Sequence, residues 1–236
     1  MSAVAIIPAR GGSKRLPRKN VVDFLGRPII ACTIEAAMQS DCFASVVVST
    51  EDDEIAAVAE RFGARVDHRS PELATDTTIL VDVCTDFLQR EAAAGRPWTV
   101  MACLYATAPL RNADDIRATM ALLEPGQCDF AMAVTSYDHY PYQALKFGSD
   151  AALTPMWPDL VTRRASELPT LRAGNGSTYV VNVEAFRRHR SFYGPGLRGH
   201  DMPRQRSIDI DTDADLEFAV WTAQRAGLGR ARSGGA

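Results

Sequence analysis

A chain of 236 residues with 46% hydrophobic and 23% charged side chains can bury a full-sized core and fits one large domain. A net charge of -3 argues against a general nucleic-acid binder, which needs a basic excess to meet phosphates, and no stretch approaches the roughly 20 apolar residues that span a bilayer. The five cysteines (Cys32, Cys42, Cys84, Cys103 and Cys128) are odd in number and lack CxxC spacing, so they read as reduced packing thiols and the cytoplasm is the expected compartment.

In chain order, short apolar runs alternate with segments of helical spacing. Residues 4–8 are the first expected strand, apolar throughout and without the basic start or long apolar run of a secretory leader. A helix is expected over 29–39, a strand over 45–50, a helix over 53–62, a longer helix over 79–94 and a strand over 98–104. Helical spacing returns over 116–123, where Asn112 is the expected cap and Asp114 and Asp115 suit the positive end of the dipole. Further strands are expected over 130–135 and 178–183. Runs that are apolar on both faces mark strands buried between layers. The alternation therefore predicts a three-layer α/β/α fold with a mostly parallel sheet, whose ligands bind at the carboxyl ends of the strands.

Between 136 and 176 the alternation breaks. Tyr137, Tyr140, Tyr142, Phe147 and Trp157 sit there among several prolines, with no βα unit. Left open, these aromatics would form a larger apolar patch than monomers usually carry, so the stretch is expected to be a small dimerisation insertion of a homodimer. The main domain is set at 1–226, and 227–236, rich in Gly, Arg and Ser, is expected to be a disordered tail.

The segment that carries chemistry is Ala9-Arg10-Gly11-Gly12-Ser13-Lys14, directly after the first strand and continuing to Lys19-Asn20. It matches neither GxxxxGK[ST] nor GxGxxG. Two glycines let backbone N–H groups turn towards an anion, and Arg10, Lys14 and Lys19 bring cationic side chains to the same loop. A triphosphate needs such a cradle; a solvated basic loop would not need two glycines behind a buried strand. Near the other end of the chain, Asp209 and Asp211 are two apart and on an extended segment share a face. Carboxylates so placed repel unless a cation sits with them, and Mg²⁺ typically takes one or two. The plainer alternative, an acidic turn entering the last helix, suits Asp213 and Asp215 better. His68, His139, His189 and His200 show no metal-ligand spacing.

The string from Ala9 to Asn20 resembles the signature of the CMP-N-acylneuraminate (sialic acid) cytidylyltransferase family, which includes the legionaminic and pseudaminic acid cytidylyltransferases. Asp23-Phe24-Leu25-Gly26-Arg27-Pro28, Val48-Ser49-Thr50-Glu51-Asp52, the segment from Leu104 to Arg111, and Ser207-Ile208-Asp209-Ile210-Asp211-Thr212 extend the resemblance along almost the whole chain. It implies that CTP and a nonulosonic acid give a CMP-sugar and pyrophosphate, in a Mg²⁺-dependent homodimer. Ala9, Arg10, Gly11, Gly12, Ser13, Lys14, Lys19, Asn20, Thr75, Asp76 and Thr77 would bind the nucleotide, with Arg10, Lys14, Lys19 and Asp211 catalytic and Asp209 and Asp211 holding the metal. Tyr105, Thr107, Ala108, Asn175, Tyr179, Phe192 and Tyr193 would wall the sugar acid. Arg163, Arg164 or Arg172 would meet its carboxylate, from the partner subunit. On their residues alone, Thr75 or Asp76 reads equally as a cap of the following helix, and each arginine as an exposed surface charge. Tyr105 and Ala108 stand where the sialic acid enzymes usually carry glutamine and serine and resemble the pseudaminic branch, whereas the region of Asn175 and 207–212 resemble the sialic and legionaminic branches. Rival readings are a Kdo-type cytidylyltransferase, whose loop usually ends Gly-Lys-Pro where this chain has Arg18-Lys19-Asn20, and a non-catalytic nucleotide-binding regulator. No general base is apparent.

Overall fold

β1 (Ala3–Pro8) is buried because its side chains alternate between two apolar layers, Ala3, Ala5 and Ile7 entering one and Val4 and Ile6 the other. The structure, a computed structural model, describes residues 2–228. From β1 the chain runs through α1 (Ile29–Gln39), β2 (Ser45–Thr50), α2 (Asp53–Arg61), β3 (Arg65–His68), α3 (Leu80–Ala93), β4 (Val100–Leu104), α4 (Ala113–Met120) and β5 (Phe130–Thr135). It continues with β6 (Leu145–Phe147), β7 (Leu153–Pro155), β8 (Ala173–Asn182), α5 (Val183–His189), β9 (Arg198–Asp201) and α6 (Asp213–Arg225).

Seven strands form one sheet in the order β3-β2-β1-β4-β8-β5-β9, and β6 and β7 form a separate antiparallel hairpin. Within the large sheet only β8 runs antiparallel to its neighbours β4 and β5. α1, α2 and α4 cover one face through Ile30, Ile34, Ile55 and Ile116, while α3 and α5 cover the other through Cys84, Phe87, Leu88 and Phe186. α6 closes a third cluster in which Ala219 and Ala223 meet Leu16, Phe24, Ile29 and Ile210. This is the expected three-layer arrangement.

The boundaries differ from expectation where polar chemistry decides them. α4 starts at Ala113 because Asn112 and Asp115 form a reciprocal capping box around its first turn. β8 begins at Ala173 rather than 178, reaching back through Gly174-Asn175-Gly176 into the expected insertion. What remains of that insertion is the β6–β7 hairpin with short turns, and it carries Phe147 at 78% exposure beside Leu145 and Leu153. Thr212 caps α6 with Asp215, and Gly227 closes the helix in a left-handed turn. The rest of the expected disordered tail, 229–236, lies outside the described residues. All five cysteines are unpaired, and no helix among the described residues is long and apolar enough to cross a membrane.

Candidate active site

The parallel strands end at one edge of the sheet, and the antiparallel β8 begins there, so the segments after β1, β2, β3, β4, β5 and β9 gather with the start of β8. Two cavities open along this edge, of about 590 Å³ and about 480 Å³, within the size range of small-molecule sites. Tyr105 lines both, Asp211 lines the first and Asp209 the second. The acidic segment thus stands where the two cavities meet.

The first cavity is ringed by cations. Arg10, Lys14, Arg15, Lys19 and Arg69 line it with Asn20, Thr75, Asp76 and Thr78, over an apolar wall that includes Leu16, Leu80 and Val83. Each loop cation is matched by an acid. Arg10 lies 2.9 Å from Asp76, which also pairs with Lys14, while Lys19 and Arg15 lie 2.7 Å and 2.8 Å from the two oxygens of Asp211. Lys14 first, and then Arg10, hold the Asp76 carboxyl below its usual range. At Asp211 burial works against the charge, but Lys19 and Arg15 outweigh it and the carboxyl is held low.

The loop itself is tightly fitted. Gly11 donates its N–H to Glu51 Oε1 at 2.8 Å, and a Cβ on Gly11 would run into the Asp52 carboxylate. Ser13 donates its N–H to the Gly11 carbonyl at 3.0 Å. Glu51 and the loop's own carbonyl thus take two of the three amides from Gly11 to Ser13. Asn20 Nδ2 ties the loop's far end to the Arg10 carbonyl at 2.9 Å. Arg18 turns away, bonded to Asp52 and Glu54. Ala9 is buried under the loop. Neither Thr75 nor Asp76 caps α3, whose cap position is Ile79, and Thr77 bonds to Thr75 outside the cavity wall.

The second cavity is lined by Tyr105, Thr135, Tyr137, Asn175, Tyr179 and Asp209, among others. Thr107 donates to Asp209 Oδ1 at 2.6 Å, and the Thr107 carbonyl accepts from the Ile210 N–H at 2.9 Å. The outer side of Asp209 is open, yet protein crowds its carboxyl. Burial raises its pKa, Thr107 opposes the rise and the neighbouring Asp211 adds to it. Asn175 is buried between Ser207 and Ser177, donating to the first at 3.0 Å and accepting from the second at 2.8 Å. Tyr105 and Tyr179 stand 5.7 Å apart centre to centre; burial raises both phenols, Tyr179 to about 12.

Other expected residues stand back from the cavities. Ala108 is buried at 1% exposure, and Phe192 packs into the core against Tyr179 and Phe186. Tyr193 lies exposed behind Tyr179. Arg172 is engaged by Asp201 through two bonds of 2.8 Å and 2.9 Å, and Arg163 and Arg164 lie exposed on the insertion, off both walls. Among the residues that line the second cavity there is no cation. The sequence did not single out Arg69, buried on the first cavity's wall and fixed by Glu51 at 3.0 Å, or Arg15 as a partner of Asp211. Arg69 lies just past a strand too polar to be seen as one.

Comparison with known proteins gives concordant matches. A family profile described as Cytidylyltransferase matches residues 4–147. The chain is 35% identical over 224 residues to a pseudaminic acid cytidylyltransferase of Campylobacter jejuni serotype O:2, covering 93% of this chain and 95% of that protein. It is 33% identical to a CMP-N,N'-diacetyllegionaminic acid synthase of Legionella pneumophila, covering 91% and 93%. It is 30% identical to an N-acylneuraminate cytidylyltransferase of Escherichia coli, covering 94% of this chain and 52% of that longer protein. A solved CMP:2-keto-3-deoxy-manno-octonic acid synthetase complexed with CTP superposes with a TM-score of 0.70 over 96% of this chain and 100% of its own, at 18% identity, a likeness of fold.

Proposed function

The chain belongs to the cytidylyltransferase family, and we propose that it transfers CMP from CTP to a nonulosonic acid and releases pyrophosphate. The observation that carries this reading is the placement of Asp209 and Asp211 between a cation-ringed cavity and a second cavity walled by tyrosines and Asn175. The first suits a triphosphate and the second a hydroxyl-rich acid. The anomeric hydroxyl oxygen of the acid, entering from the second cavity, forms a bond to the α-phosphorus and gives its proton to solvent water, while the α–β phosphoanhydride bond breaks and pyrophosphate leaves. Arg10, Lys14 and Lys19 exchange their carboxylate partners for phosphate oxygens and offset the charge that builds on them. Arg69, held by Glu51, keeps a fixed guanidinium at the nucleotide side.

The residues present fit a Mg²⁺ ion. Among the described residues no three His, Cys, Asp or Glu side chains form a complete cage, but Mg²⁺ uses one or two carboxylates with phosphate and water oxygens. Asp209 and Asp211 would supply that pair from the segment that stands between the two cavities. Mg²⁺ so held would polarise the phosphate and lower the pKa of the attacking hydroxyl.

The second cavity has no cation of its own to meet an acid's carboxylate, and the β6–β7 hairpin exposes Leu145, Phe147 and Leu153. Both features support a homodimer in which the insertion of one subunit, with Arg163 or Arg164, completes the acid site of the other. Arg172 is less suited, being held by Asp201 of its own chain. The unpaired thiols suit the cytoplasm.

Pyrophosphate release measured with CTP, Mg²⁺ and pseudaminic, legionaminic, sialic and Kdo acids tests the assignment. Release with one of the first three is expected. Release with Kdo alone, or with none while CTP still binds, would overturn it in favour of a Kdo-type enzyme or a nucleotide-binding regulator respectively.

A further inference from the structure

Asp115 is a carboxylate with 2% side-chain exposure that the transfer reaction does not use. It lies in the first turn of α4, where its Oδ2 accepts from the Asn112 N–H at 3.1 Å to complete the capping box. A cap needs no more than that. Yet Arg206 also donates to it through both edges of its fork, Nε to Oδ2 at 2.9 Å and Nη2 to Oδ1 at 2.7 Å, and His200 Nε2 lies 3.3 Å from Oδ1. Burial would push the carboxyl up, but Arg206, the Asn112 amide and His200 hold it below its usual range, so it is ionised. An ionised buried carboxylate with a bidentate arginine is costly to break and geometrically specific.

What the pair joins gives it meaning. Arg206 ends the short helical turn Arg204–Arg206, and from Ser207 to Asp211 the chain has no regular secondary structure. A segment without a ladder or helix keeps its place through individual bonds and, here, the burial of Ile210 in the third cluster. Its first residue is held by Asn175 to Ser207, its middle by Thr107 to Asp209 and Ile210, and its end by Lys19 and Arg15 to Asp211. Its entrance is held by the Arg206–Asp115 fork, anchored in the rigid first turn of a helix that packs on the sheet.

We propose that Asp115 is a positioning residue for the acidic segment: acting through Arg206, it sets where Asp209 and Asp211 stand between the two cavities. The inference rests on the transfer reading for the role of those two aspartates, but the tether itself can be measured without turnover. The test compares Arg206→Gln, Arg206→Lys and Asp115→Asn with wild type by hydrogen–deuterium exchange over 207–212, CTP binding by calorimetry, kcat and Tm. Arg206→Gln is expected to speed exchange over 207–212 with α3 and β1 unchanged, and to lower kcat about 10–100-fold, the usual loss when a metal ligand loses its support, while the CTP Kd changes less than about threefold. Arg206→Lys restores part of both, and the Asp115→Asn/Arg206→Gln double variant is no worse than the worse single one. Unchanged exchange over 207–212, or faster exchange there with wild-type kcat, overturns the proposal. So does faster exchange throughout the molecule with a Tm loss in proportion, which is the mark of a merely structural cap. Arg206 is partly open to solvent, so its two variants decide the matter if Asp115→Asn does not fold. If wild type releases no pyrophosphate with any acid, the transfer reading fails and the exchange data still judge the tether.

Discussion

Lys19 Nζ donates to Asp211 Oδ1 at 2.7 Å, joining the loop after the first strand to a segment 192 positions further along the chain. The pair joins a group suited to phosphate with a group suited to a cation, and each neutralises the charge of the other.

Lys19→Ala removes a positioned donor from the first cavity. If it stabilises the charge developing on the triphosphate, turnover falls by about 2.7–4 kcal/mol of barrier, or a hundredfold or more. A drop of less than about tenfold in steady-state kcat would place Lys19 outside the chemistry.

Gly176 links β8 to Asp209 through shape. Its φ is +67°, and an added Cβ would stand 2.7 Å from Asp209 Oδ2. Gly176→Ala therefore costs about 1–2 kcal/mol in urea unfolding from the left-handed backbone alone, and it displaces the carboxylate as well. Activity should fall further than stability explains. Wild-type kcat in a folded Gly176→Ala protein would show that the position of Asp209 does not matter.

Glu91 is expected to contribute to acid stability far from the site. Buried on α3, it opposes its own burial by bonding to Arg96 and Arg65, both within 3.2 Å, and to Trp98 Nε1 at 3.1 Å, and its pKa drops from 4.5 to about 2. A depressed folded pKa gives stability that is full above the unfolded value and is lost as pH falls through the folded one. The advantage of wild type over Glu91→Gln should therefore shrink by roughly 2–3 kcal/mol between pH 5 and pH 2. Chemical unfolding at several pH values measures it, and a difference that does not vary with pH would refute it.

Assembly can be tested by sedimentation and by mixing. The protein is expected to sediment as a dimer that Phe147→Asp weakens. An inactive Asp211→Asn chain mixed with an inactive Arg163→Ala/Arg164→Ala chain should regain part of the activity, because some heterodimers then hold one intact site. An active monomer would end the idea; a dimer without complementation would remove the two arginines from the shared site.

Much of this was legible in the sequence where apolar periodicity or charge spacing was strong. β1, β2, β4 and β5, the first three helices and the loop cations follow from runs such as Ile6-Ile7 and Val46-Val47-Val48. β3 (Arg-Val-Asp-His) and β9 (Arg-Gly-His-Asp) are edge strands with mostly polar side chains and give no such signal. The start of β8 reads as a loop because Gly174 and Gly176 interrupt it, and nothing local shows that β8 runs opposite to its neighbours. Glu51 as the anchor of Gly11, and Arg15 beside Asp211, depend on contacts across long stretches of chain, which spacing cannot show. The plain alternative for Thr75 and Asp76 fails for a local reason: Ile79 occupies the cap position.

The reversal of β8 has one more consequence. Because β8 pairs antiparallel with β5, Thr135 and Ala173 are register partners, and residues 136–172 leave and re-enter the sheet at adjacent points. Everything between them is a cassette hung from a closed doorway. Its length and sequence can change without moving a strand of the nucleotide half, as loop-closure cost grows only slowly with length. Exchange of that cassette is therefore expected to leave the loop after β1 where it is.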